Sequence, residues 1–308
     1  MPLVPLGIVN DTRAFVIVNP VAGGGRTRRA WSQLRHVLHG VDVEIQVVET
    51  TGMGSGIELS RAAVRDGWPL IVAVGGDGTV NEVVNDVMDC APSMTAAVAV
   101  IPTGRGRDVC RNLGVAADPM VAARRVFAGD EVLVDVGAAE SPDGYCRYFI
   151  NAAGVGFDAA VAERARRGWA PGTVGYLLAV LKCLNAYQPS PVTVSLDDGS
   201  AVTERVAAVV VANGVHYGGG MKIAPSADPA DGRLDVVVLG DFGRLALLRW
   251  LPTLYTGGHI ASSRVSVRPA RLVVLDFATP LPAHVDGEPL PVAPTRLNIR
   301  PRALRLRR

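Results

Sequence analysis

Residues 14–136 alternate between two hydrophobic rhythms. The runs 14–18, 70–74 and 96–101 are short and apolar throughout, the pattern of strands buried on both faces. Residues 41–49 alternate apolar and polar, like a strand with one wet face. Between these runs, spacings of three and four predict helices. One covers 28–38, with Trp31, Leu34 and Leu38 on a common face. Others cover 56–66 and 80–89, the latter with Val80, Val83, Val84 and Val87 aligned. Two more are expected at 107–113 and 119–128. Strand and helix in strict alternation predict a parallel sheet covered by helices on both faces.

After about residue 134 the texture changes. Short β-rich runs dominate, at 145–151, 192–196, 206–212, 234–239, 264–267 and 271–277. Helices interrupt them near 157–167, 173–186 and 244–255. Strands at this spacing predict an antiparallel sandwich or barrel-like second domain, of which the sandwich is taken. The expected fold class is therefore an α/β N-terminal domain with a parallel sheet plus a β-rich antiparallel sandwich C-terminal domain. The boundaries read as 1–133 and 134–294, with 295–308 packing back on the first domain. Residues 296–308 place Leu297, Ile299, Leu304 and Leu306 among six arginines. This segment reads as closing strands and a basic end. Its arginines are expected either on a solvated strand face or against anionic lipid, where each is worth about 1 kcal/mol.

Composition narrows the class. Hydrophobic residues make 49% of 308, and charged residues 19%, as in a folded globular chain rather than a disordered one. A net charge of +2 argues against bulk capture of nucleic acid. Lys182 and Lys222 are the only lysines. Cys90, Cys110, Cys146 and Cys183 show no CxxC spacing and read as free thiols. Residues 1–10 lack the charged and apolar segments of a signal peptide, and no apolar run reaches membrane-span length. The expectation is a cytoplasmic protein whose membrane contact, if any, is peripheral.

The chemistry concentrates where strand 70–74 breaks at Gly75, Gly76, Asp77 and Gly78 and a helix follows at once. Such a junction offers bare backbone N–H groups to an anion. Thr79 and Glu82 have capping-box spacing, which marks the expected helix start. Gly23, Gly24 and Gly25, and then Gly104 and Gly106, also follow strand ends, so all three loops should converge at the carboxyl edge of the sheet. Neither lysine follows a glycine, so a Walker-type P-loop is absent, and there is no GxSxG elbow. Gly154, Gly156 and Ala159 imitate a dinucleotide motif, but no βαβ unit is expected after them.

Gly75-Gly76-Asp77-Gly78-Thr79 followed by Asn81-Glu82 resembles the diacylglycerol kinase catalytic domain family of lipid kinases. The resemblance runs nearly end to end. Asn19-Pro20 resembles the family's first phosphate-side loop, and Thr50 matches a nucleotide-contacting position. Ile101 to Asp108 resembles its third loop, although Arg105 and Arg107 stand where threonine and asparagine are usual. Asp231-Gly232-Arg233-Leu234-Asp235 matches the segment holding a structural magnesium, with Asp228, Asp231 and Arg233 as implied metal neighbours, backbone carbonyls contributing. Asp286-Gly287-Glu288 resembles the catalytic DGE.

The resemblance implies an NAD kinase/diacylglycerol kinase-like fold and an ATP- and Mg2+-dependent lipid kinase with its active site in the cleft between two domains. The γ-phosphate would pass to a lipid alcohol, first diacylglycerol to give phosphatidic acid, second a sphingoid base, ceramide or another long-chain alcohol. Glu288 is implied as general base, Asp286 as its orienter or a metal holder, and Asp77 as organiser of magnesium. Asn19, Pro20, Thr50, Gly75, Gly76, Asp77, Gly78, Thr79, Asn81, Glu82, Arg105 and Asp108 are the implied nucleotide contacts. The expected partners are the lipid alcohol and the membrane surface, with a homodimer left open. An NAD kinase-like enzyme and a non-catalytic nucleotide- or lipid-binding protein remain the alternatives.

Overall fold

A computed structural model describes residues 13–40, 43–52, 54–90, 96–167, 172–197, 199 and 201–308. Residues 1–10, positions 41–42 of the second predicted strand and the Cys90 side chain lie outside the described part. The chain divides into two compact units. The first comprises Met1–Val136, Pro229–Asp231 and Pro301–Arg308; the second comprises Gly137–Asp228 and Gly232–Arg300.

In the first unit the elements run β1 (Arg13–Val18), α1 (Ala22–His39), β2 (Glu44–Glu49), α2 (Ser55–Arg65), β3 (Leu70–Gly75), α3 (Asp77–Cys90), β4 (Ala97–Pro102), α4 (Asp108–Leu113) and α5 (Pro119–Ala128). The sheet is parallel in the order β4-β3-β1-β2. Strands β3 and β4 are buried at every position, whereas edge strand β2 alternates. That difference matches the continuous and alternating runs of the sequence. Leu34 and Leu38 of α1, and Ala123 and Val126 of α5, close the core against β1, β3 and β4.

Regular helix in α1 starts only at Arg26. Gly23, Gly24 and Gly25 all have left-handed φ values of 63°, 72° and 81°. Three such residues in succession are accessible to glycine and hardly to anything else. They form the first loop and then release the chain into the helix.

The second unit is antiparallel. Strands β5 (Glu131–Glu140) and β17 (Arg296–Arg307) contribute to both units. Between them lie β6 (Cys146–Phe149), β7 (Ala152–Gly156), α6 (Phe157–Arg167), α7 (Gly172–Ala186), β8 (Ser190–Leu196) and β9 (Val202–Ala212). The hairpin β10 (His216–Tyr217) and β11 (Met221–Lys222) leads to β12 (Leu234–Gly240), α8 (Arg244–Trp250), β13 (Val265–Ala270), β14 (Leu272–Asp276), β15 (Ala283–Val285) and β16 (Glu288–Leu290). Strand β9 is central: it pairs with β7, β8 and β12. Val209, Val211, Val236, Val273 and Leu297 lie in its main core.

The basic end divides: Arg296, Arg300 and Arg302 are exposed, as on a solvated strand face, whereas Arg305 and Arg307 are not. Arg305–Arg307 pair in parallel with Ala97–Ala99. Arg305 Nε lies 2.6 Å from Glu131 Oε1, and Arg307 Nη2 lies 3.1 Å from Glu131 Oε2. Glu131 is 1% exposed and Arg307 2%, so one buried carboxylate pairs with a buried arginine and a partly buried one. A buried ion needs that pairing, which removes these two side chains from any membrane-facing patch.

Candidate active site

The three glycine loops of the first unit meet at the carboxyl ends of β1, β3 and β4. Asn19 N–H donates to Val74 O and Thr50 N–H to Val18 O, tying two predicted contact residues to the sheet edge. The Asn19 amide donates to Thr79 Oγ1 at 3.0 Å, linking the first loop to the second. Thr103 N–H and Gly104 N–H both donate to Gly75 O, linking the third loop to the second. A Cβ on Gly104 would lie 2.5 Å from the Gly76 Cα, and one on Gly23 would lie 2.4 Å from Thr103 O. The buried Thr27 and Thr103 hydroxyls share a 2.6 Å hydrogen bond. A Cβ on Gly24 would lie 2.8 Å from a guanidinium nitrogen of Arg105, so that cation stands over the first loop.

The acids of this region face inward. Asp77 Oδ1 accepts from Val109 N at 3.1 Å, capping α4. Burial pushes the Asp77 carboxyl above the usual carboxylate range, against the lowering by the N–H groups of Val109, Arg107 and Asp108 and by Arg111. Behind it, burial and then the Asp77 charge push the Cys110 thiol up to about 12. Asp108 Oδ1 pairs with Arg111 at 2.8 Å. Asn81 is buried, and its Oδ1 accepts from Asn85 Nδ2 at 3.2 Å.

The expected capping box is not formed. Helix α3 begins at Asp77, two residues before Thr79, and Thr79 Oγ1 accepts from Asn19. Glu82 instead accepts from Gly54 N at 2.9 Å and Gly56 N at 3.1 Å, at the start of α2. A carboxylate at that N-terminus satisfies orphan donors and opposes the helix dipole, a better use than a local cap.

In the second unit, Asp286 and Gly287 form a two-residue turn between β15 and β16, with φ of 49° and 82°. Both central residues are left-handed, as a type I′ hairpin requires and as Asp-Gly favours. The Asp286 carboxylate accepts from three consecutive backbone donors: Ile150 at 2.9 Å, Asn151 at 2.9 Å and Ala152 at 3.0 Å. Asp286 N–H returns a bond to Ala152 O. Glu288, the first residue of β16, is one-third exposed and pairs with Arg166 of α6. The turn thus ties one carboxylate to the backbone as an anchor and leaves the other on a side-chain ion pair.

Comparison with known proteins assigns this architecture. Residues 13–139 match the diacylglycerol kinase catalytic domain, and residues 151–308 match the YegS C-terminal NAD kinase beta sandwich-like domain. A diacylglycerol kinase of Mycobacterium tuberculosis is 31% identical over 294 residues, covering 90% of this chain and 93% of that one. This chain belongs to the diacylglycerol kinase family of lipid kinases. A diacylglycerol kinase of Bacillus subtilis is 27% identical, covering 90% of this chain and 89% of that one. The fold matches that of a diacylglycerol kinase crystal structure from Bacillus anthracis, with a TM-score of 0.73 at 20% identity and 97% of each chain covered.

For magnesium, this lipid kinase offers a suitable donor set in its first unit. Mg2+ is held by one or two carboxylates and completes its shell with water and phosphate. A Cβ on Gly106 would lie 2.4 Å from Asp77 Oδ2 and 3.9 Å from Asp108 Oδ2, so both carboxylates border one glycine. At the implied structural magnesium segment, Arg233 has no side-chain acceptor, so its contribution to a metal would be its backbone carbonyl, as the resemblance implies. Asp228, Asp231 and Arg233 each already interact with protein groups. Among the described residues, no cluster of three or more His, Cys, Asp or Glu is arranged for a metal. No helix among them is long and apolar enough to cross a membrane.

Proposed function

We propose that this lipid kinase transfers the γ-phosphate of ATP to the hydroxyl of diacylglycerol, giving phosphatidic acid. The observation that supports a nucleotide site is the junction of the three glycine loops, whose backbones approach to distances that no Cβ allows. A polyphosphate can lie against such a surface, and the Arg105 guanidinium adds a bidentate donor where the family usually has a hydroxyl. Magnesium, when bound, would be held by Asp77 and Asp108 and would neutralise phosphate charge. Thr50, Asn19, Pro20, Gly75, Gly76, Gly78, Thr79, Asn81 and Glu82 shape the loops, Asn81 and Glu82 from behind rather than by direct contact.

Phosphoryl transfer asks the protein for positioning, charge stabilisation and a proton acceptor. Glu288 is the general base of this reading. It takes the hydroxyl proton as the new O–P bond forms and the bond to the ADP oxygen breaks. Asp286 holds Glu288 in place through the turn and holds no metal, because its oxygens already accept three N–H groups. Diacylglycerol is favoured over sphingoid bases by the names of the relatives. Such an acceptor resides in a bilayer, so the enzyme works at a membrane surface.

The test is transfer of labelled phosphate from Mg-ATP to a panel of lipid alcohols in mixed micelles, with Glu288→Gln alongside. Labelled phosphatidic acid that falls about 10²–10⁴-fold in the variant is the expected result. Labelled ceramide or sphingoid base would replace the acceptor. Unchanged turnover in the variant would remove Glu288 from the mechanism.

A further inference from the structure

A histidine and an aspartate lie buried beneath the Asp286–Gly287 turn, and neither is among the residues assigned above. His284 of β15 is 1% exposed and Asp158, in the first turn of α6, is 9% exposed. His284 Nε2 lies 3.1 Å from Asp158 Oδ2. The other ring nitrogen, Nδ1, lies 3.2 Å from the backbone N–H of Gly287. An N–H can only donate, so Nδ1 must carry a lone pair and the ring proton must sit on Nε2. Asp158 fixes that tautomer by accepting the Nε2 proton. The ring is stacked on Tyr217, with centroids 5.9 Å apart and planes 11° from parallel.

Two further observations single out the pair. Asp158 Oδ1 is buried with no hydrogen-bond partner, a cost that a purely structural contact would not require. Gly154 passes so close that a Cβ would lie 2.0 Å from Asp158 Oδ2 and 2.6 Å from His284 Nε2. The glycines that imitate a dinucleotide motif in the sequence therefore include one that makes room for this pair.

We propose that Asp158 and His284 are positioning residues for Glu288, acting through the Gly287 N–H. The turn is held at Asp286 by three bonds and at Glu288 by the Arg166 ion pair. Gly287, between them, has the His284 ring as the acceptor of its N–H. Losing that acceptor lets the peptide between Asp286 and Gly287, which carries this N–H, rotate and moves the Glu288 carboxylate, one residue on, off its line to the acceptor hydroxyl. This inference rests on Glu288 being the base.

The atoms allow a test that ordinary loss of packing would not mimic. Asparagine places an oxygen near the position of Nδ1, and glutamine places an amide near the position of Nε2. His284→Asn keeps the acceptor for Gly287, while His284→Gln keeps the donor to Asp158. Both variants lose similar packing. In the labelled-phosphate assay, with thermal unfolding run in parallel, the expected result is a kcat loss of up to about 10²-fold in His284→Gln. KM for ATP stays near that of the parent, and His284→Asn retains most turnover. Equal losses in both variants, or no loss in either, would overturn the proposal while a dead Glu288→Gln left the kinase mechanism standing. An active Glu288→Gln would instead remove the base itself. Should the variants not fold, long-range proton–nitrogen NMR of the parent's imidazole decides: a proton on Nε2 is expected, and one on Nδ1 overturns the proposal.

Discussion

The two units treat carboxylates and backbone N–H groups in opposite ways. In the first, carboxylates are turned inward. Asp77 caps α4 and Glu82 caps α2, and glycine backbone is left at the surface of the junction. In the second, backbone is turned inward. Three consecutive N–H groups grip Asp286, and the next carboxylate, Glu288, is presented. Anionic phosphates are better met by N–H groups than by carboxylates, whereas a carboxylate can accept a proton.

The grip on Asp286 offers the largest way to break that contrast. Asp286→Ala leaves three buried N–H groups without their acceptor, each costing about 1–3 kcal/mol. Denaturant unfolding of the full chain should show a loss of several kcal/mol for the second unit and none for the first. Next comes Gly104→Ala, whose Cβ would meet backbone at Gly76 rather than a movable side chain. A destabilisation of about 1–3 kcal/mol and a clear loss of ATP affinity by calorimetry are expected. Intact ATP affinity would show that the loops need not touch. A smaller effect is expected for Glu82→Gln, which keeps a capping oxygen but gives up the charge at the start of α2. The expected loss is about 0.5–1 kcal/mol, reduced by salt.

The finest discrimination is by pH. Burial lowers the affinity of His259 for a proton from its ordinary 6.5, so the folded second unit binds fewer protons than the unfolded chain. Its contribution to stability is present above that value and is lost as the pH falls below it. Asp77 has the opposite sign. Its carboxyl is raised above 3.8, so its contribution is present at low pH and is lost as the pH rises through the raised value. Thermal unfolding across pH 4–8 should show the His259 slope, and His259→Gln should flatten it.

Several elements were legible in the chain itself because the forces behind them are local. A continuous apolar run marks a strand buried on both faces, and 70–74 and 96–101 are such strands. Asp286-Gly287 was read only through the family resemblance, although Asp-Gly favours the tight hairpin turn found there. Glu82 was misread because the capping-box spacing is local, while the donors at Gly54 and Gly56 are 28 and 26 residues away. Nothing in the spacing announced that Arg305 and Arg307 share Glu131, over 174 and 176 residues.

By itself, then, the order of residues determined the strand–glycine–helix junctions, the change to an antiparallel texture after about residue 134, and the family. Hydrophobic period and turn chemistry act within a few residues, so they can be read in one dimension. The tertiary structure alone decided which carboxylates are spent and which are presented. It turned Asp77 and Glu82 to helix ends, gave Asp286 to the backbone, and brought Asp158 to His284 across 126 residues. A buried charge takes whichever donor the fold brings within about 3 Å, and that distance is set by packing rather than by separation along the chain.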